Sequence, residues 1–186
     1  KNTDKICIFT DRGQMHLLKV LDLPYGKFRD KGTPIDNLSN YNSSEENLVY
    51  IAPMADIRQK KLLFGTKTAM LKLVSGAEFD VAKRTTAATK LNEGDMVLFV
   101  HPVAESDHIV MQSAKDMFLR IEAGTIPEKK KGAVGVRGMR LASGDQLEAI
   151  YLLREEDEPV SVRIKDKEVV LNRLHVANRD TKGVKR

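Results

Sequence analysis

Residues 61–74, Lys61-Leu62-Leu63-Phe64-Gly65-Thr66-Lys67-Thr68-Ala69-Met70-Leu71-Lys72-Leu73-Val74, decide the fold. An apolar run from Lys61 to Gly65 meets the polar turn Thr66-Lys67-Thr68 and returns as a second run, Ala69 to Val74, with one cation, Lys72, inside it. Runs this short, rich in Leu, Phe and Val and punctuated by Gly and polar residues, are strand signals. Long stretches of helical period are absent, and Phe79 to Arg84 has room for one helical turn at most.

The same template recurs on both sides of this hairpin. Upstream, Ile6 to Thr10, the turn Asp11-Arg12-Gly13 and Met15 to Val20 lead to a loop carrying Lys27, Arg29, Lys31 and Gly32. In the second copy the loop carries Lys83 and Arg84, followed by Ala87 to Leu91, the turn Glu93-Gly94-Asp95 and a run from Met96 to Val100. The third copy has His108 to Gln112, Met117 to Ile121, the loop Lys129-Lys130-Lys131-Gly132, then Val136 to Leu141, Ser143-Gly144-Asp145 and Gln146 to Tyr151. A fourth runs from Val160 to Ile164, turns at Lys165-Asp166-Lys167 and continues through Glu168 to Leu174, ending at Asp180-Thr181-Lys182-Gly183. Lys31, Lys83, Lys131 and Lys182 stand 52, 48 and 51 residues apart. That spacing suits a four-stranded propeller blade, and repeating short sheets around an axis leaves only short edges. The expected architecture is all-β, with about four repeated four-stranded blades in one domain, at roughly 1–50, 51–100, 101–151 and 152–186. Asn37 to Asn47 is expected as a flexible inter-repeat loop, and Arg154 to Pro159 as a solvated acidic turn.

Composition bounds the function. The 186 residues are 41% hydrophobic, which allows a packed core, and no apolar run reaches membrane-spanning length. The single cysteine, Cys7, lies in an apolar run, excludes an internal disulfide framework and fits a reducing cytoplasm. The chain opens at Lys1 without an initiator Met and is expected to be part of a longer protein. The 31 Lys and Arg against 26 Asp and Glu leave a net charge of +5, an excess that permits nucleic acid without requiring it.

No catalytic chemistry stands out. His16, His101, His108 and His175 are scattered without Cys or carboxylate partners at metal-ligand spacing. The glycine-rich stretch Gly132 to Gly138 does not open a helix after a strand, so it is not a dinucleotide fingerprint. No nucleophilic triad and no phosphate-cradling loop is evident. What recurs is cations. Duplex DNA is a line of phosphates, and a protein that bends it needs positive charge along a curved path. The clusters Lys27/Arg29/Lys31, Lys83/Arg84, Lys129/Lys130/Lys131 and Lys182/Lys185/Arg186 are expected at equivalent rim positions. Lys19, Lys72, Arg120 and Arg173 form a second common phase at strand ends, and Arg137 and Arg140 extend the third cluster. A glycine after lysine lets the backbone turn tightly toward a phosphate. Aromatic residues are only 5%, which favours duplex binding without sequence preference over stacking on single strands. The rival reading is a protein-interaction propeller with no DNA role.

Three stretches carry a resemblance to a known family. They are Phe9 to Gly13 with Lys31-Gly32-Thr33-Pro34-Ile35, Phe79 to Leu91 followed by Glu93-Gly94-Asp95, and Lys131 to Gly138. Together they resemble the C-terminal domain of type IIA topoisomerase A subunits, the DNA gyrase A and topoisomerase IV A family, over nearly the whole chain. The resemblance implies a β-pinwheel, a propeller-like disc whose blades share strands, as a whole or as part of a larger disc. It implies that a basic rim bends or wraps duplex DNA and presents it to a catalytic core elsewhere in a bacterial, cytoplasmic, nucleoid-associated enzyme, beside an ATPase subunit. No cofactor is expected in this stretch; ATP and magnesium would act elsewhere in the holoenzyme. Cleavage in that family belongs to a core tyrosine, so Tyr25, Tyr41, Tyr50 and Tyr151 are not expected to be catalytic. Gyrase A subunits carry a seven-residue box of Gln, two basic residues, Gly-Gly, a basic residue and Gly. Gly26 to Gly32 keeps only a basic second residue, Lys27, and the final Lys-Gly. Either the box lies upstream or the protein is topoisomerase IV-like.

Overall fold

The computed structural model describes residues 3–186. The first repeat supplies β1 (Lys5–Thr10), β2 (Gln14–Lys19) and β3 (Leu48–Pro53). The second supplies β4 (Lys61–Thr66), β5 (Met70–Ser75), β6 (Thr85–Ala87) and β7 (Val97–Val103). From the third come β8 (His108–Ser113), β9 (Met117–Glu122), β10 (Val136–Arg137) and β11 (Leu147–Leu153). The fourth gives β12 (Ser161–Ile164), β13 (Lys167–Val170) and β14 (Val184–Lys185). They form three four-stranded sheets, β3-β1-β2-β6, β10-β5-β4-β7 and β11-β8-β9-β14, and a two-stranded sheet, β12-β13. Every paired strand is antiparallel.

The last strand of each four-stranded sheet belongs to the following repeat. β6 leaves the second repeat to pair with β2, β10 leaves the third to pair with β5, and β14 leaves the fourth to pair with β9. Blades therefore share strands, and backbone hydrogen bonds join one repeat to the next. The all-β blade architecture is the expected one, and only the fourth blade departs from four strands. Among the described residues its sheet holds two, β12 and β13, and β14 pairs in the third sheet as β6 and β10 pair in the first and second.

Alternation along the strands builds the core between sheets. On β4, Leu62 and Phe64 face a cluster with Cys7, Phe9, Met15 and Phe79, while Leu63 faces another with Leu71, Ile109, Met111 and Ile150. On β8, Ile109 and Met111 face back to this second cluster, whereas Val110 joins Phe118, Leu153, Leu171 and Leu174 in a third. Both faces of a central strand are thus covered by neighbouring sheets, and such strands read as continuous apolar runs instead of alternating ones. Phe9, Phe64 and Phe79 meet edge to face, with centroids 5.0 Å apart for Phe9–Phe79 and 5.8 Å for Phe9–Phe64. Cys7 is fully buried here, and burial pushes its thiol up to about 12, with Asp80 adding to the rise and Lys5 opposing it.

Three local expectations differ. The helical turn falls at Gly76–Phe79 as a single 3-10 turn, not after Phe79. The run Glu168 to Leu174 ends as a strand at Val170, because Leu171–Arg173 makes another 3-10 turn that buries Leu171. The Asn- and Ser-rich stretch 37–47 is pinned at its end. Glu46 is buried and lies 2.7 Å from His16 Nε2, and Asn47 donates its N–H and side-chain amide to Asp11, each at 2.9 Å. Among the described residues no helix is long and apolar enough to cross a membrane.

Candidate nucleic-acid interface

The first basic loop is open to solvent throughout. Lys27, Arg29 and Lys31 are exposed on residues 21–34. A turn closes at Lys27 to Asp30, where the Asp30 N–H donates to Lys27 O at 3.0 Å and the Lys27 N–H donates to the Asp30 carboxylate at 2.6 Å. That turn carries Phe28 and Arg29 at its tip, and both Phe28 and nearby Tyr25 are exposed. Aromatic side chains therefore stand among these cations, a placement that the low aromatic content does not foretell.

The second cluster sits differently. Arg84 O accepts the Leu17 N–H at 2.8 Å and the chain passes straight into β6. Lys83 and Arg84 are exposed, and Arg84 lies 3.4 Å from Asp22. In the third repeat the arriving chain touches the preceding sheet twice, at Leu73 opposite Glu128 and again through β10, with Lys129, Lys130 and Lys131 looping between. The fourth repeat does the same between Val176, which bridges to Arg120, and β14. Equal lengths of chain separate the two contacts in both repeats, so Arg179, not Lys182, stands where Lys131 does. Linear spacing thus overstates the common phase of the four clusters. Gly32 and Gly183 do turn the chain at positive φ, +72° and +74°, but Gly132 does not.

The strand-end cations do not form one class. In the β1–β2 register His16 faces Ile8, and in β4–β5 the equivalent position is Lys72, facing Phe64. Arg120 lies one position further along β9, Lys19 ends β2, and Arg173 lies in a 3-10 turn. Lys72, expected at the interface, is only 1% exposed. Its Nζ donates to Lys130 O and Lys131 O at 3.0 Å each and to Ala133 O at 2.7 Å. Arg120 is half-buried and similarly occupied, with Nη1 donating to Asn172 O at 2.6 Å and Nη2 3.0 Å from His108 Nδ1. Because a guanidinium only donates, that His108 nitrogen is the acceptor. His16 does the corresponding work in the first sheet, with Nδ1 2.9 Å from Thr85 Oγ1 on β6. These side chains hold the segment arriving from the next repeat and are spent there, so Lys72 and Arg120 leave the set of cations free for a ligand.

The structure brings other cations together across repeats three and four. Arg140, Lys182 and Lys185 line a cavity of about 310 Å³ together with Lys115, Met117, Met139, Leu141 and one acid, Asp145. Lys185 also borders an open cleft lined by Lys167, Arg173 and Arg186, with Glu168 as the acid beside them. The two surfaces share Lys185 and so form one cationic face. Arg137 and Arg140 both lie near Asp180, at 3.5 and 3.6 Å, in exposed pairs that hold little energy. Lys115 and Lys167 belong to no basic cluster in the sequence; each stands at a hairpin, a position that marks exposure but not proximity to β14. Lys130 is exposed, while Lys129 and Lys131 are partly covered. Burial pushes the Glu78 carboxyl up, but the Lys131 N–H at 2.9 Å and the Lys130 ammonium at 3.2 Å hold it below the usual carboxylate range. Among the described residues no group of His, Cys, Asp and Glu could hold a metal ion.

A family model described as "DNA gyrase C-terminal domain, beta-propeller" matches residues 60–104 and 107–154. The chain belongs to this family. It is 29% identical over 193 residues to the DNA gyrase A protein of Lawsonia intracellularis, covering 98% of this chain and 23% of that protein. The DNA gyrase A protein of Salmonella typhimurium is 27% identical over 86% of this chain, which spans 18% of it. The chain thus spans less than a quarter of these relatives. The C-terminal domain of a DNA topoisomerase IV superposes with a TM-score of 0.89 at 23% identity, over 98% of this chain and 58% of that one. A DNA gyrase A C-terminal domain superposes at 0.73 with 19% identity, over 99% of this chain and 60% of that one. At those identities the superpositions establish the fold, the strand-sharing β-propeller of this family.

Proposed function

We propose that this chain binds duplex DNA through its phosphates, without sequence preference, and bends it as the C-terminal domain of a type IIA topoisomerase A subunit. In that role it steers DNA toward the catalytic core of the same protein, which acts in the bacterial cytoplasm with a partner ATPase that supplies ATP and magnesium chemistry. The observation that carries the reading is the cationic face of Lys115, Arg140, Lys182, Lys185, Arg186 and Arg173, assembled from two neighbouring repeats on the family's fold. Exposed cations at separate points suit contacts to successive phosphates, which position a duplex without reading its sequence. Lys129, Lys130, Lys131 and Arg137 of the third repeat, and Lys27, Arg29, Lys31, Lys83 and Arg84 of the first two, extend the contact.

The test is titration of the chain with two unrelated duplexes of equal length at several salt concentrations, with end-to-end distance read by energy transfer. Both affinities should fall together, log affinity against log salt having a slope of roughly −0.9 per phosphate contact. The ends should draw closer on binding. No binding at low salt, or strong preference for one sequence, overturns the proposal.

A further inference from the structure

Among the described residues Lys72 makes no ion pair with a carboxylate, and its ammonium is enclosed by carbonyls of another repeat. Nζ donates to Lys130 O, Lys131 O and Ala133 O. Three donors meet three acceptors, which fills the capacity of an ammonium group. The Phe64 ring lies 5.7 Å from Nζ on the inner side. From the second repeat Glu78 takes the Lys131 N–H at 2.9 Å and accepts from Lys130 Nζ, while Lys131 Nζ donates back to Glu78 O at 3.2 Å. The carbonyls of Lys130, Lys131 and Ala133 are therefore turned inward onto Lys72, and the Lys130 side chain is 87% exposed. A loop bearing three consecutive lysines repels itself; a buried cation beneath it adds to that repulsion and is tolerated only because the loop's carbonyl dipoles point at it.

We infer that Lys72 is a positioning residue for the DNA interface: it holds the Lys129–Ala133 loop of the next repeat in the conformation that presents its lysines to phosphate. This deepens the function proposed above and rests on it. Lys72 does not touch DNA; it acts through the loop.

The charges facing Nζ are Glu78 from the 3-10 turn of its own repeat and Lys129 from the loop. Burial pushes the ammonium down to about 8, Glu78 opposing the fall and Lys129 adding to it. Below about 8 the clamp carries its charge; above it, charge-assisted hydrogen bonds to the loop are lost. Between about 8 and the ordinary value of 10.5 the unfolded chain holds a proton that the folded chain has released. Over that window the Lys72 contribution to global stability therefore rises with pH while its hold on the loop weakens. The two effects have opposite sign, which separates positioning from general support of the fold.

The experiment uses the whole 186-residue chain and its Lys72→Met and Lys72→Gln variants. Amide exchange without DNA is followed at Lys131 and Ala133, whose N–H groups bond to Glu78 and Lys130 O. Duplex affinity is measured at pH 7 and pH 9. Lys72→Met should speed exchange at both amides and weaken duplex binding by about three- to tenfold at pH 7. Lys72→Gln, which keeps two N–H donors without charge, should lie between. Wild-type affinity should fall from pH 7 to 9 by more than that of either variant, without a matching fall in melting temperature. Unchanged exchange at Lys131 and Ala133 overturns the inference. So does faster exchange with unchanged affinity, since the loop would then lie off the DNA path. A wild-type chain that binds no duplex overturns the function itself, and the exchange measurement then decides separately whether Lys72 holds the loop.

Discussion

Asp95 is 7% exposed, and its carboxylate takes the Thr68 N–H at 3.0 Å, the Thr68 hydroxyl at 2.6 Å and the Met96 N–H at 2.8 Å. It ties the β4–β5 hairpin to the turn that starts β7. Asp145 has the same place in the third repeat, accepting from the Lys115 and Gln146 N–H groups, and both acids follow a glycine at positive φ, Gly94 and Gly144. Asp95→Ala strands buried donors and should lower unfolding free energy by about 2 kcal/mol in a denaturant titration. Asp145→Ala, at a more open site, should cost less in the same assay. Glu93-Gly94-Asp95 and Ser143-Gly144-Asp145 are legible in the sequence as turns. That each carboxylate reaches back to a hairpin 27 or 30 residues earlier is not, because that contact exists only once the sheet has formed.

The elements that join the repeats are the shortest strands in the molecule. β10 and β14 have two residues each and β6 has three, too few for any periodicity to show. They form because β2, β5 and β9 present an unpaired edge that an arriving segment can complete. The approach is close at Gly135, where a Cβ would stand 2.6 Å from Leu71 O. Gly135→Ala must push β10 away from β5. It should cost about 1–3 kcal/mol of stability and speed exchange of the Gly138 N–H, which donates to Ala69 O at 2.7 Å. Gly132→Ala, where a Cβ meets nothing within 4 Å, should leave both unchanged. The long hairpin strands, by contrast, are legible close to their true bounds, since each is an apolar run closed by a polar turn.

Across the whole molecule the charge excess of +5 is small, and its arrangement matters more than its size. Arg140, Lys182 and Lys185 meet at one cavity from two repeats. Replacing all three with Gln should weaken binding to unrelated duplexes alike and reduce the magnitude of the salt slope by up to about 3. Melting temperature should hold, because none of the three is buried. A loss confined to one sequence would argue against phosphate contact.

The residue order alone determined the repeat, the strand-turn-strand units, the buried cysteine and the presence of basic loops, because apolar runs and turn residues act locally. Tertiary structure decided which cations remain free. Lys72 and Arg120 look in sequence like Lys19 and Arg173, which are exposed, yet the first two lie under a neighbouring repeat where backbone carbonyls accept from them. Sequence places a charge on a strand; only strand exchange between repeats determines whether that charge meets solvent or a carbonyl.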